Sequence, residues 1–138
     1  LTGSPVCGAN VTNMVNTYYN CINLTGSPVC GPNVTNMAYA YYNCTNSTGS
    51  PACENKVIDM SFAYRGCINL TGAPVCGPNV TNMHYTYYDC HNLHGDFYVN
   101  SNKITDATNC FYGRSTNNVL NIIFISSPPA ISPLQVAT

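Results

Sequence analysis

Nine cysteines are the residues of this 138-residue chain with the clearest capacity for chemistry. Eight of them recur every 23 residues in two columns, one formed by Cys7, Cys30, Cys53 and Cys76 and the other by Cys21, Cys44, Cys67 and Cys90. Cys110 belongs to neither column. An even set of eight cysteines with one spare thiol can indicate the disulfide framework of a secreted protein. The alternative is two ladders of buried thiols, since free cysteine is among the most buried residue types.

Geometry favours the reduced ladders. If equivalent residues stack as in a parallel sheet, neighbouring Cα atoms lie about 4.8 Å apart, which a disulfide tolerates. Their Cβ vectors run parallel, however, so the Cβ atoms stay near that separation, above the preferred value of about 3.8 Å. We therefore predict that most column cysteines are unbridged.

Other catalytic or metal-binding groups are not evident in the sequence. It contains no pair of cysteines at the short C-x₂₋₄-C spacing of zinc sites, so no metal ion is expected. The three histidines, His84, His91 and His94, each fall in a variable column of the repeat described below. Neither a glycine-rich phosphate loop nor a carboxylate pair is present, so we predict no enzymatic activity and no cofactor.

The cysteines are positioned by a repeat of 23 residues, whose clearest copy is LTGSPVCGPNVTNMAYAYYNCTN, residues 24–46. Four copies fill residues 1–92 without insertion or deletion, and a fixed period of this length indicates stacked repeats. In each copy, 24–29 and its equivalents predict a short strand, and 34–44 and its equivalents a short helix or 3₁₀ turn. Three apolar columns are expected to point inward: Val11, Val34, Val57 and Val80; Met14, Met37, Met60 and Met83; and Tyr18, Tyr41, Tyr64 and Tyr87.

The repeat resembles the BspA-like leucine-rich repeats of bacterial surface proteins, some protists and phages. The resemblance covers residues 1–92 and is carried by Val-Thr-Asn-Met at 34–37, Ala-Tyr-Tyr-Asn-Cys at 40–44 and the Asn-Leu-Thr that follows the second cysteine in two copies. The arm Gly-Ser-Pro-Val-Cys-Gly departs from the more aliphatic arm of the family. The resemblance implies an α/β repeat solenoid of right-handed 23-residue coils with short parallel strands and short helical turns, used for binding or spacing. It also implies that the cysteine at the end of each helix packs in the core.

The sequence after residue 92 diverges. Residues 93–118 form a fifth repeat with one inserted residue, which places Ile104, Ala107, Phe111 and Arg114 in the valine, methionine, tyrosine and cysteine columns. Residues 119–126 predict a capping strand, and 127–138 a proline-rich extended tail that docks on a partner.

The beginning of the sequence is in phase with the repeat. We therefore expect a longer parent chain with further repeats or an N-terminal cap. The core residues of the first repeat would otherwise face water, and they are Leu1, Val6, Val11, Met14 and Tyr18.

Two further columns supply a candidate contact surface. Its residues are Tyr19, Tyr42, Arg65 and Tyr88 in one column, and Tyr39, Phe62 and Tyr85, preceded by Asn16, in the other. Tyrosine is a rigid contact residue with a polar tip, suited to stacking on sugar rings or to contacting a protein partner. The alternative is that these side chains pack against neighbouring repeats.

Seven Asn-x-Ser/Thr sequons are candidate glycosylation sites: Asn10, Asn23, Asn33, Asn43, Asn46, Asn69 and Asn79. The alternative is a structural role in the repeat. Asn92 continues one of these columns although no sequon follows it, which favours side chains that bond the backbone of a neighbouring repeat.

Composition narrows the functional classes. Only 7% of residues are charged and the formal net charge is −1, which does not fit a nucleic-acid-binding protein. No apolar run approaches the roughly 18 residues of a membrane span. We predict a non-enzymatic repeat rod that serves adhesion or structure in an extracellular assembly, such as a phage fibre or head decoration, or a bacterial surface protein. Its partner would be a protein or glycan on a cell surface, with other subunits or upstream repeats in the assembly.

The alternative prediction is an N-glycosylated surface fibre of a eukaryotic microbe, whose protein core spaces glycans. The two predictions share a location outside the cell, on a cell surface or on a virion.

Overall fold

The computed structural model describes residues 1–99 and 102–125. These residues contain no helix and two strands, β1 at Gly95–Val99 and β2 at Leu120–Phe124. The strands form one parallel sheet in which Gly95 lies opposite Leu120 and Val99 opposite Phe124. The predicted α/β solenoid, with a strand and a helical turn in every coil, is therefore wrong.

Hydrogen bonding between repeats explains why residues 34–44 do not form a helix. The N–H groups of Met37, Tyr39 and Tyr41 donate to carbonyls of the third repeat, at 2.8–3.0 Å, instead of to their own segment. The intervening N–H groups close tight turns, as in Ala40 to Met37. Tyr39 and Asn43 have φ of 57° and 58°, which lies outside the right-handed helical region. The segment is a run of turns with its hydrogen bonds directed along the stack of repeats.

The arm at residues 24–29 is also not a regular strand. It makes one isolated parallel bridge, between Gly3 and Leu24. Pro28 has no N–H to donate to a ladder. The backbone of Val29 is satisfied by a tyrosine across the core: the Tyr41 hydroxyl accepts from the Val29 N–H at 3.0 Å and donates to the Val29 carbonyl at 2.7 Å.

Successive repeats contact one another in constant register. Single parallel bridges join the same position of each repeat to the next, at Asn13, Asn36, Asp59, Asn82 and Asp106. The last step is one residue longer, in agreement with the insertion expected in the fifth repeat.

The predicted apolar columns lie in the core. Met37, Met60 and Met83 are fully buried, as are Tyr41, Tyr64 and Tyr87. The tyrosine rings stack along the molecule with centroids 5.0–5.6 Å apart, and the series ends on Phe111. The three valines from the second to the fourth repeat are also buried.

Two apolar residues of the first repeat are buried, contrary to the expectation from the sequence. Met14 is 1% exposed and Tyr18 7% exposed, although both were expected to face water. The second repeat covers them: the Met14 N–H donates to Asn36, and the Tyr18 ring stacks on Tyr41. Val11 is half-buried, and Leu1 and Val6 are exposed.

The last described segment lies against the fifth repeat. β2 falls within the range 119–126, and its Leu120 and Ile122 pack against the core. Phe97 of β1 is fully buried, with its ring edge-on to Phe111 at 5.1 Å. Arg114, placed in the cysteine column, donates a hydrogen bond to the Asn118 carbonyl. Residue 126 and the predicted tail at 127–138 lie outside the described residues.

Candidate binding site on an aromatic face

In the second repeat the run of turns places one tyrosine in the core and two on the surface. Tyr41 points inward, whereas Tyr39 and Tyr42 lie half-buried at the surface. The two surface positions repeat along the molecule as neighbouring columns. The outer column comprises Tyr19, Tyr42, Arg65, Tyr88 and Tyr112, and the turn column comprises Asn16, Tyr39, Phe62, Tyr85 and Asn109.

The rings of each column stack on one another. In the turn column the centroids of Tyr39 and Phe62 are 4.6 Å apart and those of Phe62 and Tyr85 5.1 Å apart, with nearly parallel planes. In the outer column Tyr19 stacks on Tyr42 at 4.8 Å. Such contacts contribute about 0.5–1.5 kcal/mol per pair beyond area burial. Because ring faces are used within the columns, these rings mostly present their edges to solvent.

Arg65 takes the place of a ring in the outer column. Its guanidinium lies 5.6 Å from the centroid of Tyr42 and 4.7 Å from that of Tyr88. It also lies 5.4 Å from Tyr85 in the turn column. Arginine stacks on aromatic faces through cation–π attraction, so the column continues through the third repeat.

The backbone of the turn column does not itself favour aromatic residues. Tyr39, Phe62 and Tyr85 all have φ of 54–57°, a left-handed conformation that costs an ordinary residue about 1–2 kcal/mol. Asparagine tolerates this conformation best among residues with a side chain, and Asn16 and Asn109 occupy the two ends of the column. Because this φ recurs at the same position of every repeat, it belongs to the turn that all the repeats share.

The turn column ends in an open slot. Tyr39 uses one ring face to stack on Phe62, and on its other side Asn16 stands where another ring would continue the column. Tyr19 does not close the gap, since its ring is tilted by 49° at 6.4 Å from Tyr39. The resulting depression has a volume of about 700 Å³ and is lined by Val15, Asn16, Tyr19, Asn36, Ala38 and Tyr39. We call it the Tyr39 slot.

The structure brings all seven residues of the predicted contact surface onto one face. It also shows that packing between repeats, the alternative interpretation, accounts for most of their ring contacts. Sequence reasoning missed Tyr112, which stacks on Tyr88 at 5.0 Å. Allowing for the inserted residue would have placed it in the outer column. Sequence reasoning also missed the slot residues Val15 and Ala38, for which no signal existed.

Most sequon asparagines bond the neighbouring repeat. The Nδ2 atoms of Asn33, Asn46, Asn69 and Asn79 each donate to a backbone carbonyl of the preceding repeat at 2.7–2.9 Å, and that of Asn43 donates to Asn20 Oδ1. Asn92 makes the same bond to Ile68. Asn10 and Asn23 are exposed in the first repeat. This pattern supports the structural interpretation of the column.

The nine cysteines are all unbridged. In the second column the thiols of Cys44, Cys67 and Cys90 are fully buried, and each donates to a tyrosine carbonyl of the preceding repeat at 2.9–3.0 Å. In the first column the thiols are half-buried, and burial raises the pKa of Cys53 to about 12. A raised pKa disfavours the thiolate, which is the reactive form.

No metal-binding group of three or more His, Cys, Asp or Glu side chains is found in the part of the chain that the structure describes. Among the histidines, His84 lies beside a carboxylate, with its Nδ1 3.5 Å from Asp106 Oδ2. Within the same part of the chain, no helix is long and apolar enough to cross a bilayer.

We expect every cysteine to be alkylated by iodoacetamide when the protein is unfolded without reductant. The reason is that none of the nine cysteines is bridged, and the most deeply buried thiols, such as that of Cys67, donate to backbone carbonyls instead. Mass spectrometry of the intact chain would count the added groups. Labelling of fewer than half of the thiols would contradict the prediction that most of them are unbridged.

Comparison with protein-family models, with curated proteins and with solved structures finds no match to this chain.

Proposed function

We propose that this chain is a non-enzymatic adhesion or structural component of an extracellular assembly, such as a phage fibre, head decoration or bacterial surface protein, and that it binds a neutral glycan in the Tyr39 slot. The observation that carries the proposal is the depression lined by Tyr39 and Asn16, at the point where the stacked rings of the turn column end. The resemblance of residues 1–92 to repeats of surface proteins supports the same setting.

The ligand class follows from the shape and polarity of the slot. The apolar face of a pyranose ring would stack on Tyr39 and extend the column by one ring. Val15 and Ala38 supply further apolar contact, and Asn16 and Asn36 are the amide residues of the lining that could bond sugar hydroxyls. This combination of apolar lining and few polar groups is typical of ligand sites. No charged residue lines the slot, which favours an uncharged sugar.

The structure around the slot would hold it rigid. Asn36 Oδ1 accepts from the Ala38 N–H at 2.8 Å, which fixes the turn leading into Tyr39. Phe62 supports the back of the Tyr39 ring, and Tyr42 contacts it at 5.7 Å. A rigid site loses little entropy on binding, which suits adhesion through many weak contacts.

We expect screening on an array of neutral oligosaccharides to identify a ligand whose affinity falls at least about tenfold in Tyr39→Ala, because this variant removes the ring on which the sugar would stack; tenfold corresponds to about 1.4 kcal/mol. Asn16→Tyr should abolish binding by filling the slot. Titration calorimetry would measure both.

Tyr85→Ala is the matched control, because it removes a ring from the same left-handed position two repeats away. It should bind as the unmodified chain does. Equal losses in Tyr39→Ala and Tyr85→Ala, or no glycan bound by the unmodified chain, would contradict the proposal.

A further inference from the structure

A second surface depression combines residues of the second to the fifth repeats. Its volume is about 440 Å³, within the range of roughly 300–1,000 Å³ that is usual for ligand sites. It shares no lining residue with the Tyr39 slot, so the two are separate sites. We call it the lysine depression, and its lining residues are Thr35, Lys56, Ile58, Asn79, Thr81 and Lys103.

The lining residues belong to two columns of the repeat. One column contributes Thr35, Ile58 and Thr81. The other, once the residue inserted in the fifth repeat is allowed for, reads Asn10, Asn33, Lys56, Asn79 and Lys103. Lysine therefore replaces asparagine in the third and fifth repeats, on either side of Asn79. With about 4.8 Å between equivalent backbones of successive repeats, the two lysines start roughly 10 Å apart.

The charge of the lysine depression is of one sign. Two of the four Lys and Arg residues of the chain line it, and no carboxylate does. Among the described residues neither lysine forms an ion pair, since the ion pair found there joins His84 to Asp106. A cleft lined by charges of one sign attracts ions of the opposite sign. The depression therefore favours an anion, although the chain as a whole has a formal net charge of −1.

The lysines also hold most of the unused hydrogen-bond donors. An ammonium group has three N–H donors, and Lys56 directs one of them to Asn33 Oδ1. Lys103 makes no hydrogen bond with a described residue. Asn79 Nδ2 uses one of its two N–H groups to donate to the Asn55 carbonyl at 2.9 Å. Both lysines are exposed, so these donors are accessible to a ligand.

The remaining lining supplies apolar contact and few donors. The hydroxyls of Thr35 and Thr81 donate to backbone carbonyls of the preceding repeat, at 3.1 and 3.4 Å. Their protons are thus already in use. Ile58 is 49% exposed within the lining and can contact an apolar part of a ligand.

We propose that the lysine depression binds a phosphate group, either free or carried by a monoester. Lysine binds phosphate as a point charge, whereas a planar carboxylate is matched best by the fork of arginine. The flexible four-carbon stems of Lys56 and Lys103 allow both ammonium groups to reach one anion placed between them, beside Asn79. In a monoester, the organic part would cover Ile58.

The proposal can be tested by titrating the full chain with inorganic phosphate, glucose 6-phosphate and glucose, and following the backbone amides by NMR. We expect both phosphates to bind in the millimolar range and to shift the amides of Ile58, Asn79, Thr81 and Lys103 most. Glucose should leave these four amides unchanged. Tighter binding of glucose 6-phosphate would identify a monoester as the ligand, and equal affinities would identify the free ion.

The double variant Lys56→Gln, Lys103→Gln should bind glucose 6-phosphate at least about tenfold more weakly, because it removes both cations. The matched control is Thr25→Glu, Thr71→Glu, which lowers the net charge by the same amount at exposed positions outside the depression. At physiological salt the control should stay within about twofold of the unmodified chain, because distant charges are screened. Equal losses in the two variants, or no shift with either phosphate, would overturn the proposal.

Discussion

Replacing Tyr64 by alanine is expected to lower the free energy of unfolding by about 3–5 kcal/mol, the range for large core aromatics. Tyr64 is fully buried, and its ring lies between those of Tyr41 and Tyr87 at 5.5 and 5.6 Å. Its hydroxyl donates to the Ala52 carbonyl at 2.6 Å and accepts from the Ala52 N–H at 3.0 Å. Urea unfolding followed by circular dichroism would measure the loss.

One further substitution separates the ring from the hydroxyl, and a second compares the core with the surface. Tyr64→Phe keeps the stack but leaves the N–H and carbonyl of Ala52 without their partner, so we expect a loss of about 1–3 kcal/mol. Tyr88→Ala, at the half-buried surface, should cost less than Tyr64→Ala because the Tyr88 hydroxyl makes no such backbone contact among the described residues. A loss below about 1 kcal/mol for Tyr64→Ala would show that the tyrosine column does not stabilise the arms.

The second large effect is expected at alkaline pH. Burial raises the pKa of both Cys53 and Cys76 from 9.0 to about 12. Burial also raises the pKa of Cys67 well above its usual value. The folded protein thus retains protons that the unfolded chain releases. These thiols leave the free energy of unfolding unchanged below about pH 9. The free energy of unfolding then falls as pH rises toward 12, by up to about 1.4 kcal/mol per pH unit for each thiol.

Cys53 and Cys76 together should lower the free energy of unfolding by about 2 kcal/mol per pH unit above pH 9, after allowance for their partial exposure. We therefore expect urea midpoints to be constant near neutral pH and to fall steeply from about pH 9.5 upward. The double variant Cys53→Ala, Cys76→Ala is the control, since its midpoint should fall less steeply over the same range. Equal slopes for the two proteins would contradict the assignment to these thiols.

The sequence by itself determined which residues are neighbours along the stack. Identical spacing of the Met and Tyr columns through four copies requires the copies to be equivalent, and equivalent residues with apolar side chains are buried together, as Met60 and Tyr64 are. The same logic placed Tyr42 and Tyr88 in one column around Arg65. It also predicted that the sequon column is structural, in agreement with the bond from Asn46 to Ile22.

Only the tertiary structure decided the conformation within each repeat. The spacing at 34–44 fits a helix, but a helix would direct its N–H groups to its own carbonyls four residues back. Here the N–H groups of Met37 and Tyr41 bond the next repeat instead, which is possible only once that repeat is in place. The left-handed φ at Tyr39 has the same cause and cannot be read from an aromatic side chain. The Tyr39 slot likewise depends on the tertiary structure, because its lining residues come from two repeats, Asn16 from the first and Ala38 from the second.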